Sequence, residues 1–90
     1  MEIDAFVAAH RAEWDRLHEL ATRRRRLSGA EADELLDLYQ RTATHLSIVQ
    51  SSAPDPALVS RLSALVAEGR AAVTGASGAS WDDVSRFVTV

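Results

Sequence analysis

Leu27-Ser28-Gly29-Ala30-Glu31-Ala32-Asp33-Glu34-Leu35-Leu36-Asp37-Leu38-Tyr39 is the stretch on which the fold turns. Ser28 and Glu31 stand at the S-x-x-E spacing of a capping box. In that motif the hydroxyl and the carboxylate each satisfy a backbone N–H at a helix start. Leu27, one residue ahead of the cap, is placed to staple onto Ala32 or to pack near Leu35. Beyond the box Leu35, Leu38, Tyr39, Thr42, Leu46 and Val49 recur at helical period, and Leu36, Ala43 and Ile48 widen the stripe. A helix is expected from this box to Gln50.

The neighbouring segments carry the same kind of signal. Upstream, Asp4 is a candidate N-cap, and Ile3, Phe6, Val7, Trp14, Leu17, Leu20 and Leu27 predict a first helix running to about Arg26. Downstream, Ser51-Ser52-Ala53-Pro54-Asp55-Pro56 stops the second helix, because proline lacks the N–H and biases the residue before it to extended backbone. Asp55 as N-cap with Pro56 at the first helical position opens a third helix bearing Leu58, Val59, Leu62, Leu65, Val66 and Val73. It is expected to end at Thr74-Gly75, where glycine takes the left-handed C-terminal position. Gly69 reads as a cost of roughly 1 kcal/mol in the helix interior. Ser80-Trp81-Asp82-Asp83 is a second capping pattern, and it opens a short fourth helix with Trp81, Val84, Phe87 and Val88 on its apolar side. The fold class predicted is all-α: an antiparallel three-helix bundle over residues 1–75, then a short fourth C-terminal helix. Residues 76–90 form the flexible link and the start of that helix. A helix of this length is marginal alone in water, so it is expected to dock on the bundle or on a second copy.

Composition excludes several functions. Sixteen alanines leave 26 larger apolar side chains among the 90 residues, enough for a helical core but not for a deep enzyme pocket beside it. The absence of cysteine removes disulfides, thiolate zinc sites and a cysteine nucleophile. A net charge of −3 argues against nucleic acid as a partner. No apolar run approaches the roughly 20 residues that cross a bilayer. All ten cationic residues are Arg, which with the alanine excess hints at a GC-rich bacterial source.

Arg23-Arg24-Arg25-Arg26 is the most conspicuous constellation. Four guanidinium groups suit phosphates, lipid headgroups or an acidic partner. In the last turn of a helix they would equally complement its dipole, and Glu31, Asp33, Glu34 and Asp37 would face them across the hairpin. That solvated, self-paired reading is preferred, with partner binding as the alternative. Arg23, Arg24, Arg25, Arg26, Trp81 and Phe87 are therefore the candidate partner-binding residues. Asp15-Arg16-Leu17-His18 has the carboxylate-x-x-His spacing of di-iron bundles, with His45 on another helix, but the motif occurs only once. His10 and His45 read better as residues bordering the core, each with one nitrogen satisfied. No metal, no cofactor and no catalytic residue is expected, since no nucleophile elbow or phosphate loop is present.

The runs Leu38-Tyr39-Gln40-Arg41-Thr42-Ala43-Thr44-His45-Leu46-Ser47, Pro54-Asp55-Pro56-Ala57-Leu58-Val59-Ser60-Arg61-Leu62 and Ala71-Ala72-Val73-Thr74-Gly75 carry a resemblance. They follow Phe6-Val7-Ala8-Ala9-His10-Arg11-Ala12-Glu13-Trp14. Together these resemble the N-terminal region of actinobacterial membrane proteins of the stage II sporulation protein M family. The resemblance implies a cytoplasmic helical domain of a multi-spanning cell-membrane protein, with a span following the segment like Trp81 to Phe87. On that reading the chain is a soluble piece of a longer protein, and the membrane attaches through a C-terminal region it lacks. The resemblance further implies a protein partner in or at the inner membrane, as in the engulfment complex of sporulating relatives. The fourth helix offers a route to a homodimer. The alternative is a free-standing helical adaptor, or a phosphate-binding module built on Arg23 to Arg26.

Overall fold

Three helices, α1 Ile3–Thr22, α2 Gly29–Ser52 and α3 Pro56–Thr89, make up the computed structural model. It describes residues 2–52 and 54–89, with side chains as far as residue 75. The starts of α2 and α3 form as local chemistry dictates. Ser28 Oγ accepts the Glu31 N–H at 3.1 Å, and Glu31 Oε1 accepts the Ser28 N–H at 3.1 Å, which closes the capping box. Asp55 Oδ1 accepts the Leu58 N–H at 3.0 Å, with Pro56 as the first helical residue.

The helices pack in alternating directions around two apolar layers. The lower layer joins the start of α1, the end of α2 and the start of α3 through Trp14, Val49, Leu58 and Leu62, flanked by Ile3, Phe6 and Leu46. The upper layer joins the opposite ends through Leu17, Leu20, Ala21, Leu35, Leu38 and Ala72, flanked by Leu27, Tyr39 and Val73. Leu65 packs against both. Gly69 is buried where α3 meets the other helices: a Cβ there would stand 3.2 Å from Leu17 Cδ1 and 3.2 Å from Tyr39 Cδ1. Its missing side chain permits the close approach, so it does more than weaken the helix.

Three expectations about helix ends are corrected. Asp4 does not cap α1; the helix starts at Ile3 behind Glu2, and Asp4 lies in the first turn, where its charge still suits the dipole. α1 stops at Thr22 rather than near Arg26. The Arg23 N–H turns back to the Leu20 carbonyl and the Arg26 N–H bonds the Arg23 carbonyl at 2.8 Å, so the arginines form the connecting turn. α3 continues through Thr74-Gly75 to Thr89, and a separate fourth helix is not shown. Gly75 keeps a helical φ, for glycine lowers helix propensity without forbidding the helix, and no proline follows to end it. The expected docking of Trp81, Val84, Phe87 and Val88 lies outside the described side chains.

Candidate functional site

Arg23, Arg24, Arg25 and Arg26 occupy the α1–α2 turn, all exposed. They line an open groove together with Ala21 and Thr22 of α1 and Glu68 of α3. Two of the four acids expected to neutralise the run are committed elsewhere, and Asp33 forms no ion pair among the described residues. Glu34 takes Arg16: Nε and Nη2 donate to Oε2 and Oε1 at 2.8 and 3.0 Å. Asp37 takes Arg41 at 3.0 Å. Glu31 meets one member of the run, Arg23, at 2.7 Å, and Glu19 approaches the same guanidinium at 3.9 Å. Among the described residues Arg24, Arg25 and Arg26 have no ion pair. The self-paired reading therefore holds for Arg23 and fails for the three that follow it. The dipole argument is weakened as well: no basic residue lies in the last turn of α1, and Arg23 alone of the run stands at its C-cap.

These pairs leave their mark on protonation. The Ser28 N–H and the Arg23 guanidinium hold the Glu31 carboxyl below the ordinary carboxylate value. Arg16 does the same to Glu34. Both carboxylates therefore keep their charge to lower pH than an ordinary carboxylate, and each remains tied to its own arginine.

A second constellation lies in the lower layer. Phe6, His10 and Trp14 follow one another at spacings of four, so they share the inner face of α1. His45 of α2 is buried against them, and its Nδ1 accepts the Trp14 indole N–H at 3.0 Å. The His10 Nδ1–H donates to Glu13 Oε2 at 2.8 Å, and Arg41 Nη1 donates to Glu13 Oε1 at 2.9 Å. The His10 hydrogen bond lowers the Glu13 carboxyl below its usual value, with Arg41 adding to it against the opposing effect of burial. Each histidine has one nitrogen satisfied, as the sequence suggests. The Glu13 contacts were not read from the sequence, although His10-x-x-Glu13 sits in plain view beside the core stripe.

His10, Glu13 and His45 bring possible donor atoms within 4.8 Å of one another. The polarity of His45 opposes a cation there. Indole N–H is a donor only, so His45 Nδ1 spends the single lone pair of a neutral imidazole on it, and Nε2 carries the proton. A metal-bound histidine needs the reverse, a lone pair on the metal and an acceptor at its other nitrogen. The Arg41 guanidinium adds positive charge at the same carboxylate. The Asp15 and His18 pair is not assembled into a site either. Asp15 lies 3.9 Å from Arg61 and His18 lies 2.7 Å from Glu68, two separate exposed contacts to α3.

Trp81 and Phe87, the remaining candidate partner-binding residues, lie outside the described side chains. Residues 4–75 match the model of a family described as a Domain of unknown function (DUF8413). No curated protein and no solved structure matches the chain.

Proposed function

The chain belongs to this DUF8413 family, and we propose that its domain is a non-catalytic interaction module whose α1–α2 turn docks an acidic protein segment. The observation that carries the reading is the trio Arg24, Arg25 and Arg26, exposed at one end of the bundle while Glu31, Glu34 and Asp37 hold other arginines. Guanidinium groups bind carboxylates in paired geometry, and three in sequence suit a short acidic stretch more than a single anion. The described ionisable groups at the core are engaged with one another, which supports a structural rather than a catalytic use.

The setting we propose is the cytoplasmic side of the cell membrane, within a multi-spanning protein of the stage II sporulation protein M type. That part rests on the sequence resemblance. No helix among the described residues is long and apolar enough to cross a membrane, so on this reading the spans belong to other parts of the protein. The finer expectation, that the apolar positions Trp81, Val84, Phe87 and Val88 dock on the bundle or on a second copy, belongs to the same proposal.

Binding of a fluorescent acidic peptide, compared with neutral and with anionic lipid vesicles, tests the docking. Peptide binding should be salt-sensitive and should weaken by at least about tenfold when Arg24, Arg25 and Arg26 are changed together to Gln. Binding to anionic vesicles alone, lost in the same variant, would replace the acidic protein by a lipid surface. Fractionation of the source cells tests the setting: recovery of the native protein entirely in the soluble fraction would remove the membrane from the proposal.

A further inference from the structure

The lower layer holds a group of rings that the arginine turn does not use. His45 Nδ1 accepts the Trp14 indole N–H at 3.0 Å, and this bond exists only while Nδ1 has no proton. His10 lies against the same imidazole with ring centroids 3.9 Å apart and planes inclined by 34°. Phe6 meets it edge-on at 5.6 Å. The charged groups around the Trp14–His45 pair come from all three helices. α1 brings Glu13, with Oε2 4.0 Å from His45 Nε2, beyond hydrogen-bond range. α2 brings Arg41, one turn before His45 and already bonded to Glu13. α3 brings Arg61, whose guanidinium carbon stands 5.7 Å from the Trp14 ring centre and whose Nη2 is 3.9 Å from Asp15. One carboxylate therefore faces His45, and it is already bonded to His10 and Arg41.

We propose that the Trp14–His45 pair is a proton-operated latch between α1 and α2. A proton taken from solvent by His45 Nδ1 removes the acceptor and sets two N–H donors against each other. It also places a positive charge under the His10 ring and beside Arg41. The N-terminal half of α1 then separates from α2. The surroundings favour the neutral ring: burial first, then the charge of His10, hold His45 below the ordinary imidazole value, with Glu13 pulling the other way. The upper layer is built from Leu17, Leu20, Ala21, Leu35, Leu38 and Ala72, none of which titrates, so it stays closed. The response is confined to one end of the bundle.

Nitrogen and proton NMR of the full chain tests the latch, with Trp81→Phe so that Trp14 is the sole indole. At about pH 7.5 the His45 nitrogens should show the Nε2–H tautomer, and the Trp14 indole proton should exchange slowly. On acidification, once the His45 nitrogens report the second proton, the indole should lose about tenfold in protection after correction for intrinsic rates, while Leu20 and Leu38 amides keep theirs. His45→Gln supplies an amide oxygen to the indole and cannot take up a proton, so its Trp14 protection should not change between the two conditions. Retained protection of Trp14 in the wild type with His45 fully protonated would overturn the proposal. An acid response in His45→Gln equal to that of the wild type would do the same. If His45→Gln does not fold, the wild-type titration of His45 against Trp14 protection decides alone.

Discussion

Arg16 holds Glu34 in a two-pronged grip, Nε to Oε2 and Nη2 to Oε1, and so ties the second half of α1 to the first turns of α2. Both side chains remain more than a third exposed, at 35% and 40%, so solvent screens the pair. The Glu34 carboxyl titrates below its ordinary value in the folded chain. Its contribution is therefore complete above that ordinary value and is lost as pH falls through the lower one. A double-mutant cycle with Arg16→Gln and Glu34→Gln, read by urea unfolding, should give a coupling of no more than about 1 kcal/mol that shrinks with added salt. A coupling unaffected by salt would contradict the screening argument.

Glu13 stabilises charge on His45 through space, while burial and His10 act against it. Glu13→Gln removes the one opposing influence, so His45 should titrate still further below the ordinary imidazole value than in the wild type. Because the folded value of a base is depressed, the stability conferred by neutral His45 is whole above the unfolded value. It declines as pH falls from there toward the folded one. In Glu13→Gln that decline should extend to lower pH. Following the His45 ring resonances through an acid titration of both proteins checks it.

Leu62 is fully buried, whereas Leu46 only flanks the lower layer. Leu62→Ala should cost about 2–5 kcal/mol. Leu46→Ala leaves a cavity that is partly open to solvent and should cost clearly less. Chemical denaturation of the two variants under one condition orders them.

Two glycines of α3 predict opposite outcomes for the same substitution. At Gly75 a methyl group meets nothing within 4 Å, so Gly75→Ala should stabilise the helix by about 0.5–1 kcal/mol. At Gly69 it would press on the buried Leu17 and on Tyr39 at 3.2 Å. Overpacking of this kind costs about 1–3 kcal/mol, which exceeds the propensity gain of about 1 kcal/mol over most of that range. Gly69→Ala should lower the thermal midpoint and Gly75→Ala should raise it.

Thr42 is fully buried and its Oγ1 has no hydrogen-bond partner among the described residues. Thr42→Val keeps the shape and removes the unmatched hydroxyl. The substitution should be neutral or stabilising by up to about 1 kcal/mol in a denaturation experiment. A loss of 1 kcal/mol or more would mean that the hydroxyl is satisfied.

The parts of this fold legible in the sequence are those decided within one turn of backbone. Ser28 with Glu31, and Asp55 with Pro56, form the caps their spacing dictates, because each needs only its own neighbours. The helix ends that follow no such rule were misplaced. α1 stops before the arginines and α3 runs past Gly75, since a missing cap or a glycine only biases where a helix ends. Contacts between helices were hardest to foresee. The acids that follow the turn, Glu31, Asp33, Glu34 and Asp37, suggested that the hairpin neutralises its arginine run as a block. Salt bridges form between particular pairs, however: the rotation of the two helices gave Glu34 to Arg16, and Asp37 meets Arg41 one turn along α2 itself. His45 was recognised as a border residue, but its meeting with Trp14 and His10 depends on how two helices are turned toward each other.

The connecting turn at Arg23 to Arg26 also gives the part of the chain up to residue 75 one preferred place of cleavage. A trypsin-like protease must draw several residues into extended form around the bond after an arginine, and a packed helix resists that. The arginines at positions 11, 16, 41, 61 and 70 all lie within helices, whereas those at 23 to 26 stand exposed outside them. Brief digestion should therefore cut there first. The product would be a nicked bundle, α1 held to the α2–α3 pair by the apolar layers and by side-chain pairs such as Arg16–Glu34 and Trp14–His45, from which the strength of helix docking could be measured without any linking backbone.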